Sequence, residues 1–251
     1  MLKLKNVSFL VDAEGKDKEI IRNISLTVPE KKLVVVTGPN GGGKSTLAKL
    51  IAGIEKPTEG RIFFDGRDIT DLGVTDRARL GIAYAFQQPV RFKGIRVLDL
   101  IRIAAGKSLS VADACEYLSS VGLCARDYVD REVNASLSGG ELKRSEIATV
   151  LARKAVLSVF DEPEAGIDLW SFRNLTDVFR HMREEIHDSS ILIISHQERI
   201  LNIADEIIVL KGGKVEKQGT RDQVYPHLMG NEMAAACEGA YAGARKEEKE
   251  C

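Results

Sequence analysis

An α/β fold organised around a parallel sheet is what this sequence predicts, and three observations predict it. Gly38-Pro39-Asn40-Gly41-Gly42-Gly43-Lys44-Ser45-Thr46 fits G-x-x-x-x-G-K-[ST], between an apolar run (Leu33 to Thr37) and a helix-like run (Leu47 to Ala52). The second half of the chain alternates helix and strand patterns, as parallel β/α architecture does. Four chemistry-bearing groups each follow a strand pattern: Gly38 after Leu33–Thr37, Gln87 after Ile82–Ala85, Asp161 after Val156–Phe160, and His196 after Ile191–Ser195. Ligands of open parallel sheets bind at the carboxyl edge of the strands, so the four placements point to one composite site.

The elements follow in order. The first sixty-odd residues are β-rich, with apolar runs at Leu2–Leu10, Ile20–Val28, Leu33–Thr37 and Arg61–Phe64 and turn signals at Pro29-Glu30 and Asp65-Gly66. From Val97 to Val121 the period becomes helical, through Leu98, Ile101 and Ala105 and then Ala114, Leu118 and Val121. No catalytic-looking residue interrupts that stretch, which reads as a small helical lobe. Glu141–Ala152 predicts a helix, Val156–Phe160 a strand, Leu169–Ile186 a helix and Ile191–Ser195 a strand. Ile207–Leu210 and Lys214–Val215 close as a hairpin around Gly212-Gly213. This assigns residues 1–230 to one domain, with the helical subdomain at about 90–150, and 231–251 to an Ala- and charge-rich tail, helical or frayed. There are no internal repeats.

Composition narrows the function. The chain of 251 residues carries a net charge of −1, so no basic face for nucleic acid is expected. No apolar run approaches the roughly eighteen residues of a membrane span, and the start, Met1-Leu2-Lys3-Leu4-Lys5, lacks a signal peptide's apolar core. Cys115, Cys124, Cys237 and Cys251 form no C-x-x-C pair, which favours a reducing cytoplasm over a disulfide framework.

The chemistry resides in three segments. In the first, glycines Gly38, Gly41, Gly42 and Gly43 let backbone N–H groups wrap an anion, Lys44 neutralises phosphate charge and the Ser45 hydroxyl ligates Mg²⁺. In the second, the strand pattern ends in Asp161-Glu162: the first acid can hold Mg²⁺, the second can polarise a water attacking the γ-phosphate. In the third, Leu137-Ser138-Gly139-Gly140-Glu141 opens a helix as another anion cradle. One nucleotide needs one phosphate loop, so a second cradle suggests reaching the nucleotide of another subunit.

The order GPNGGGKST, Gln87, LSGGE, FDEP, AGID and His196 resembles the ATPase domain of the ATP-binding cassette (ABC) superfamily, over nearly the whole chain. The resemblance implies a P-loop NTPase of ABC type, with a β-rich N-terminal subdomain, a RecA-like core and a helical subdomain. It implies an ATP- and Mg²⁺-dependent ATPase that sandwiches two ATP molecules in a transient head-to-tail homodimer. By that likeness Gly38 to Thr46 bind nucleotide, Ser45, Asp161 and Gln87 serve Mg²⁺, and Lys44, Gln87, Glu162 and His196 are catalytic. Ser138, Gly139, Gly140 and Glu141 reach across to the opposite nucleotide, and Asp168 lies in the interface loop. One departure stands out: the aromatic residue that often stacks on adenine is missing near Val11, and Phe9, the nearest, alternates toward the core.

Three local spellings, AFQQPV around Gln87, FDEPEAGIDL with Glu164 and Gly166, and ISHQERIL around His196, are similar to SufC, the ATPase of the SUF iron–sulfur cluster assembly system. That likeness implies a SufB-like scaffold as partner, with or without a SufD-like subunit, docked on the groove around Gln87. Val90, Phe92, Ile95 and Val97 are candidate contacts, with core burial the equal alternative for each. The alternative is the ATP-binding subunit of a membrane ABC transporter. A binding switch with little turnover fits less well, because Glu162 and His196 are both present.

Overall fold

The computed structural model describes residues 1–13, 16–106, 109–134, 136–167, 169–185, 189–228 and 230, apart from the side chains at 13, 16, 169–174, 184 and 185. Strands β1 (Leu2–Ala13) and β2 (Lys16–Val28) form an antiparallel hairpin, and β3 (Leu33–Thr37) leads into helix α1 (Lys44–Ala52). Strands β4 (Glu59–Phe64) and β5 (Arg67–Asp68) precede α2 (Val74–Arg79) and β6 (Ile82–Ala85). A helical lobe follows: α3 (Val97–Ala105), α4 (Val111–Ser120), α5 (Ala125–Tyr128) and α6 (Gly139–Arg153). The chain then runs through β7 (Leu157–Asp161), α7 (Leu169–Glu185), β8 (Ser190–Ile194), α8 (Glu198–Leu201), β9 (Glu206–Lys211) and β10 (Lys214–Thr220), and residues 221–228 are helical.

Two sheets result. The smaller is antiparallel, in the order β2-β1-β4-β5. The larger runs β10-β9-β3-β8-β7-β6, parallel from β9 to β6 with β10 antiparallel at one edge. Both faces of the parallel sheet are covered, so its strands are continuous apolar runs. Successive residues of β3 enter different cores: Leu33 and Val35 face the helical lobe, while Val34 and Val36 face α1 and the antiparallel sheet. β1 shows the alternation of a strand with one wet face, Leu2 and Leu4 buried against exposed Lys3 and Lys5. At Asn6, with φ 49°, the register shifts, so Val7 takes the inward position.

The helical stretch from Val97 resolves into two helices, because Gly106 caps α3 at φ 65° and Ser110 opens α4 with a capping box to Asp113. Leu98, Ile101, Ala114, Leu118 and Val121 are all buried. So is Val97, at 1% exposure, which makes it a core residue rather than a docking contact. Strands β7 and β8 each differ by one residue from the sequence reading: the ladder pairs Asp161 with Ile194, which places the acid inside β7. Residues 231–251, with Cys237 and Cys251, lie outside the described residues. Among the described residues no helix is long and apolar enough to cross a membrane.

Candidate active site

The carboxyl edge of the parallel sheet collects the sequence-predicted groups. Gly38 leaves β3 at φ 135°, and a Cβ there would stand 2.0 Å from the Leu210 carbonyl oxygen, so only glycine fits the crossing. Gly43, at φ 95°, begins α1 without a side-chain cap, which leaves the first-turn N–H groups bare for an anion. Turn residue Gly213 of the β9–β10 hairpin braces the loop by donating its N–H to Gly42 O at 3.2 Å. Lys44 is buried and its Nζ donates to Gly38 O at 2.8 Å and Pro39 O at 3.0 Å, which holds the ammonium over the loop.

Behind the loop lies Asp161, 1% exposed. Its Oδ1 accepts the Ser45 hydroxyl at 3.0 Å and its Oδ2 accepts the Tyr84 hydroxyl at 3.0 Å. Burial raises the Asp161 carboxyl, while the two hydroxyl donors and Lys143 oppose that rise. The Tyr84 phenol is pushed far up by burial and by the Asp161 charge, so it is a fixed donor. A hydroxyl and a carboxylate in contact beside a phosphate loop are the hard oxygen donors that suit Mg²⁺. Gln87 does not join them: its Nε2 donates to Glu162 Oε2 at 2.6 Å.

Glu162 sits at φ 44°, a left-handed conformation that costs an ordinary residue of order 1–3 kcal/mol. Its N–H donates to Ile194 O at 3.0 Å, and Gln87 holds its carboxylate, so backbone and side chain are both fixed. His196 is exposed two residues beyond β8, with its Nε2 3.5 Å from Gln197 Nε2. In the helical lobe Ser138 caps α6. Its hydroxyl accepts Glu141 N–H at 3.3 Å, and Glu141 Oε2 accepts Ser138 N–H at 2.7 Å. Ser138 and Gly139 are exposed, and a Cβ on Gly139 would meet nothing within 4 Å. Among the described residues no hydrogen bond joins this second cradle to the phosphate loop, and a Cβ on Gly140 would stand 3.5 Å from Gly166 O, in the loop that follows Glu162. Asp168 lies outside the described residues.

Sequence reasoning missed Tyr84, Lys143 and Glu146. Only Tyr84 carries a signal, since it shares the face of Ile82 in a strand of period two. It also noted Glu164 without assigning a role. Glu164 Oε1 accepts the Ser195 hydroxyl at 2.5 Å, and Ser195 in turn accepts Gln197 N–H at 3.0 Å, so Glu164 fixes the turn that carries His196. Its Oε2 is buried without a hydrogen bond among the described residues, and burial raises the carboxyl above its ordinary 4.5. A carboxyl raised on folding contributes stability below the unfolded value and loses it as pH rises. Glu164→Gln, which does not titrate, should therefore gain thermal stability over the parent as pH rises above about 4.5. Melting scans without nucleotide check this; equal gaps at pH 4.5 and pH 8 would contradict it.

The ABC transporter family profile matches residues 21–165. An uncharacterized ABC transporter ATP-binding protein of Methanocaldococcus jannaschii is 39% identical over 216 residues, 83% of this chain and 86% of that protein. The probable ATP-dependent transporter ycf16 of Cyanidium caldarium is 33% identical, covering 80% of this chain and 84% of that one. The sulfate/thiosulfate import ATP-binding protein CysA of Synechocystis is 32% identical over 86% of this chain but only 61% of its own length. Among solved structures, a dimeric post-hydrolysis ATP-binding cassette bound to ADP and Pi superposes with a TM-score of 0.79 at 25% identity, covering 88% of this chain and 99% of that one. The chain belongs to the ABC transporter family, as one of its Mg²⁺-dependent ATPase cassettes.

Proposed function

We propose that this chain is the ATP-hydrolysing subunit of a transporter whose membrane part is a separate polypeptide, and that two copies close on ATP to drive it. The observation that carries the reading is the division of the site. Phosphate loop, Ser45–Asp161 and Gln87–Glu162 stand on one edge, while the Ser138-Gly139 cradle is exposed, open and not hydrogen-bonded to them among the described residues. The names of the relatives, which are transporter proteins, support the membrane partner.

In this reading Gly38 to Thr46 hold the triphosphate, with Lys44 swinging from Gly38 O and Pro39 O onto the β and γ phosphates. Ser45 and Asp161 would hold Mg²⁺, which would supply positive charge against the developing charge of the transferred phosphate. Glu162 takes a proton from the attacking water as the new P–O bond forms and the bond to ADP breaks. Gln87 orients Glu162 and water, His196 contacts the γ-phosphate, and Ser138 to Glu141 complete the opposite site in trans. Hydrolysis removes the γ-phosphate contact and lets the dimer open. A membrane partner would seat in the groove of about 230 Å³ lined by Ile54, Val74, Ala78, Tyr84, Phe86 and Ala104. It lies beside Gln87, and Val90 and Phe92, 44% and 36% exposed, extend the apolar surface.

A second reading, ATPase of a SUF-type cluster assembly complex on a SufB-like scaffold in the cytoplasm, is favoured by one observation. Glu164, where transporter ATPases commonly have Thr, is built into a hydrogen-bonded link to Ser195. Affinity capture of Glu162→Gln with Mg·ATP from its native extract separates the two. A partner with several membrane spans supports the transporter, and a scaffold without spans supports cluster assembly.

The missing aromatic has its own consequence. The β1–β2 hairpin abuts the phosphate loop, since a Cβ on Gly43 would stand 2.8 Å from Ile21 Cδ1. Val11 lies along that hairpin, two residues past the Phe9–Ile21 pair, and is 40% exposed. Aromatic stacking on a base contributes about 1–3 kcal/mol. ATP and GTP should therefore bind within about five-fold of each other, and Val11→Tyr should tighten ATP by roughly ten-fold. Calorimetry with both nucleotides checks this; strong ATP preference in the parent would contradict it.

A further inference from the structure

Helix α6 carries the Ser138 cradle at its first turn and, one turn later, a lysine with no exposed side-chain surface. Lys143 Nζ donates to the Phe86 carbonyl, lies 3.4 Å from the Gln87 carbonyl oxygen and pairs with Glu146 Oε2 at 3.4 Å. Glu146 Oε1 accepts the Phe86 N–H at 3.0 Å. Both backbone polar groups of Phe86 are thus held by α6, as is the carbonyl of Gln87, immediately after β6 ends. Gln87 passes the constraint to Glu162 through its 2.6 Å side-chain bond.

The upper end of this chain of contacts is equally fixed. Glu141 uses one carboxylate oxygen for Ser138 N–H and the other for the Tyr128 hydroxyl. A helix of 15 residues is stiff over the single turn between Ser138 and Lys143. Burying an ammonium is costly unless paired and hydrogen-bonded, and an apolar side chain would cover the inward face of α6 at less cost. The pair holds backbone that follows the end of β6, where the cradle helix meets the Gln87 segment.

We propose that Lys143 and Glu146 are a positioning pair that couples the Ser138 cradle to Gln87 and Glu162 of the same copy, so that docking on the opposite nucleotide sets each copy's own water-activating pair. This rests on the reading of two copies closing on ATP. In a two-fold head-to-tail dimer each copy both sends and receives the signal, and the two ATP sites fire cooperatively. The bonds of the pair run to Phe86, to Gln87 and to each other.

Steady-state phosphate release against ATP and against protein concentration tests the pair, in the parent, Lys143→Met and Glu146→Gln. The parent should show a Hill coefficient above one and a rate that rises faster than protein concentration. Each variant should lose roughly ten-fold in kcat, within the usual range of coupling between sites, with KM for ATP changed less than about three-fold and the Hill coefficient reduced to one. Parent-like kcat and cooperativity in both variants would overturn the proposal. So would KM rising in step with the fall in kcat, the mark of a general structural role. A non-cooperative parent would instead remove the dimer reading itself, and the coupling with it. Glu146→Gln keeps an acceptor for Phe86 N–H, so it decides the matter if Lys143→Met does not fold.

Discussion

Glu162→Gln is expected to lower kcat for ATP hydrolysis by about 10²–10⁴-fold, the range of a general base, while ATP still binds. The substitution is nearly isosteric. The amide oxygen of Gln can still accept from Gln87 Nε2, so the 2.6 Å contact and the backbone bond to Ile194 survive. What is lost is a carboxylate able to take the proton of the attacking water. The phosphate loop is unaffected, because its bonds run through Gly38, Pro39, Gly42 and Lys44 and none involves Glu162. Phosphate release and nucleotide binding, measured on the same protein, separate the two effects. A fall in kcat below ten-fold would move the proton-accepting role elsewhere.

Arg77→Met should destabilise the fold by about 3–5 kcal/mol, a loss of roughly 10 °C or more in melting temperature. Arg77 has no exposed surface and, among the described residues, its guanidinium bonds to backbone carbonyls alone. Nε donates to Leu72 at 2.9 Å, Nη1 to Leu50 at 2.6 Å and Ile51 at 3.0 Å, and Nη2 to Thr70 at 3.1 Å. Burial without a carboxylate partner pulls it down to about 10. Leu50 and Ile51 lie in the last turn of α1, where carbonyls lack intrahelical donors and the dipole favours a cation. The residue therefore anchors the far end of the helix whose near end forms the phosphate loop. Gly53 makes room, since a Cβ there would meet Arg77 Cδ and Nε at 2.9 Å. Arg77→Lys should recover only part of the loss, because one ammonium does not span four carbonyls. A melting temperature within 2 °C of the parent, an order-of-magnitude threshold for a 1 kcal/mol effect, would show the carbonyls satisfied by water instead.

What the sequence made legible is local. The phosphate loop reads out because strand, glycines and helix are contiguous, and Asp161-Glu162 because a buried strand ends on two acids. The break between α3 and α4 was written locally too, in Gly106 and in Ser110 with Asp113, and could have been read from the capping rule. The rest depends on distance along the chain. Arg77 meets Leu50 27 residues away, Lys143 meets Phe86 57 away, and Tyr84 meets Asp161 77 away. No period or spacing encodes such pairs. A buried lysine at position 143 looks, in the sequence, like one more charge on a polar helix. Likewise the contact of the Gln87 amide with Glu162, 75 residues away, is written in no local motif. Between a phosphate loop and its acids many arrangements satisfy the same motif, and packing selects one.

Sedimentation of Glu162→Gln at saturating Mg·ATP tests the central claim, that two copies close on ATP with each Ser138 cradle completing the other's site. The account predicts the mass of two copies with ATP, one copy with ADP, and one copy again when Ser138→Arg blocks the cradle. A single-copy mass with ATP demonstrably bound would contradict it.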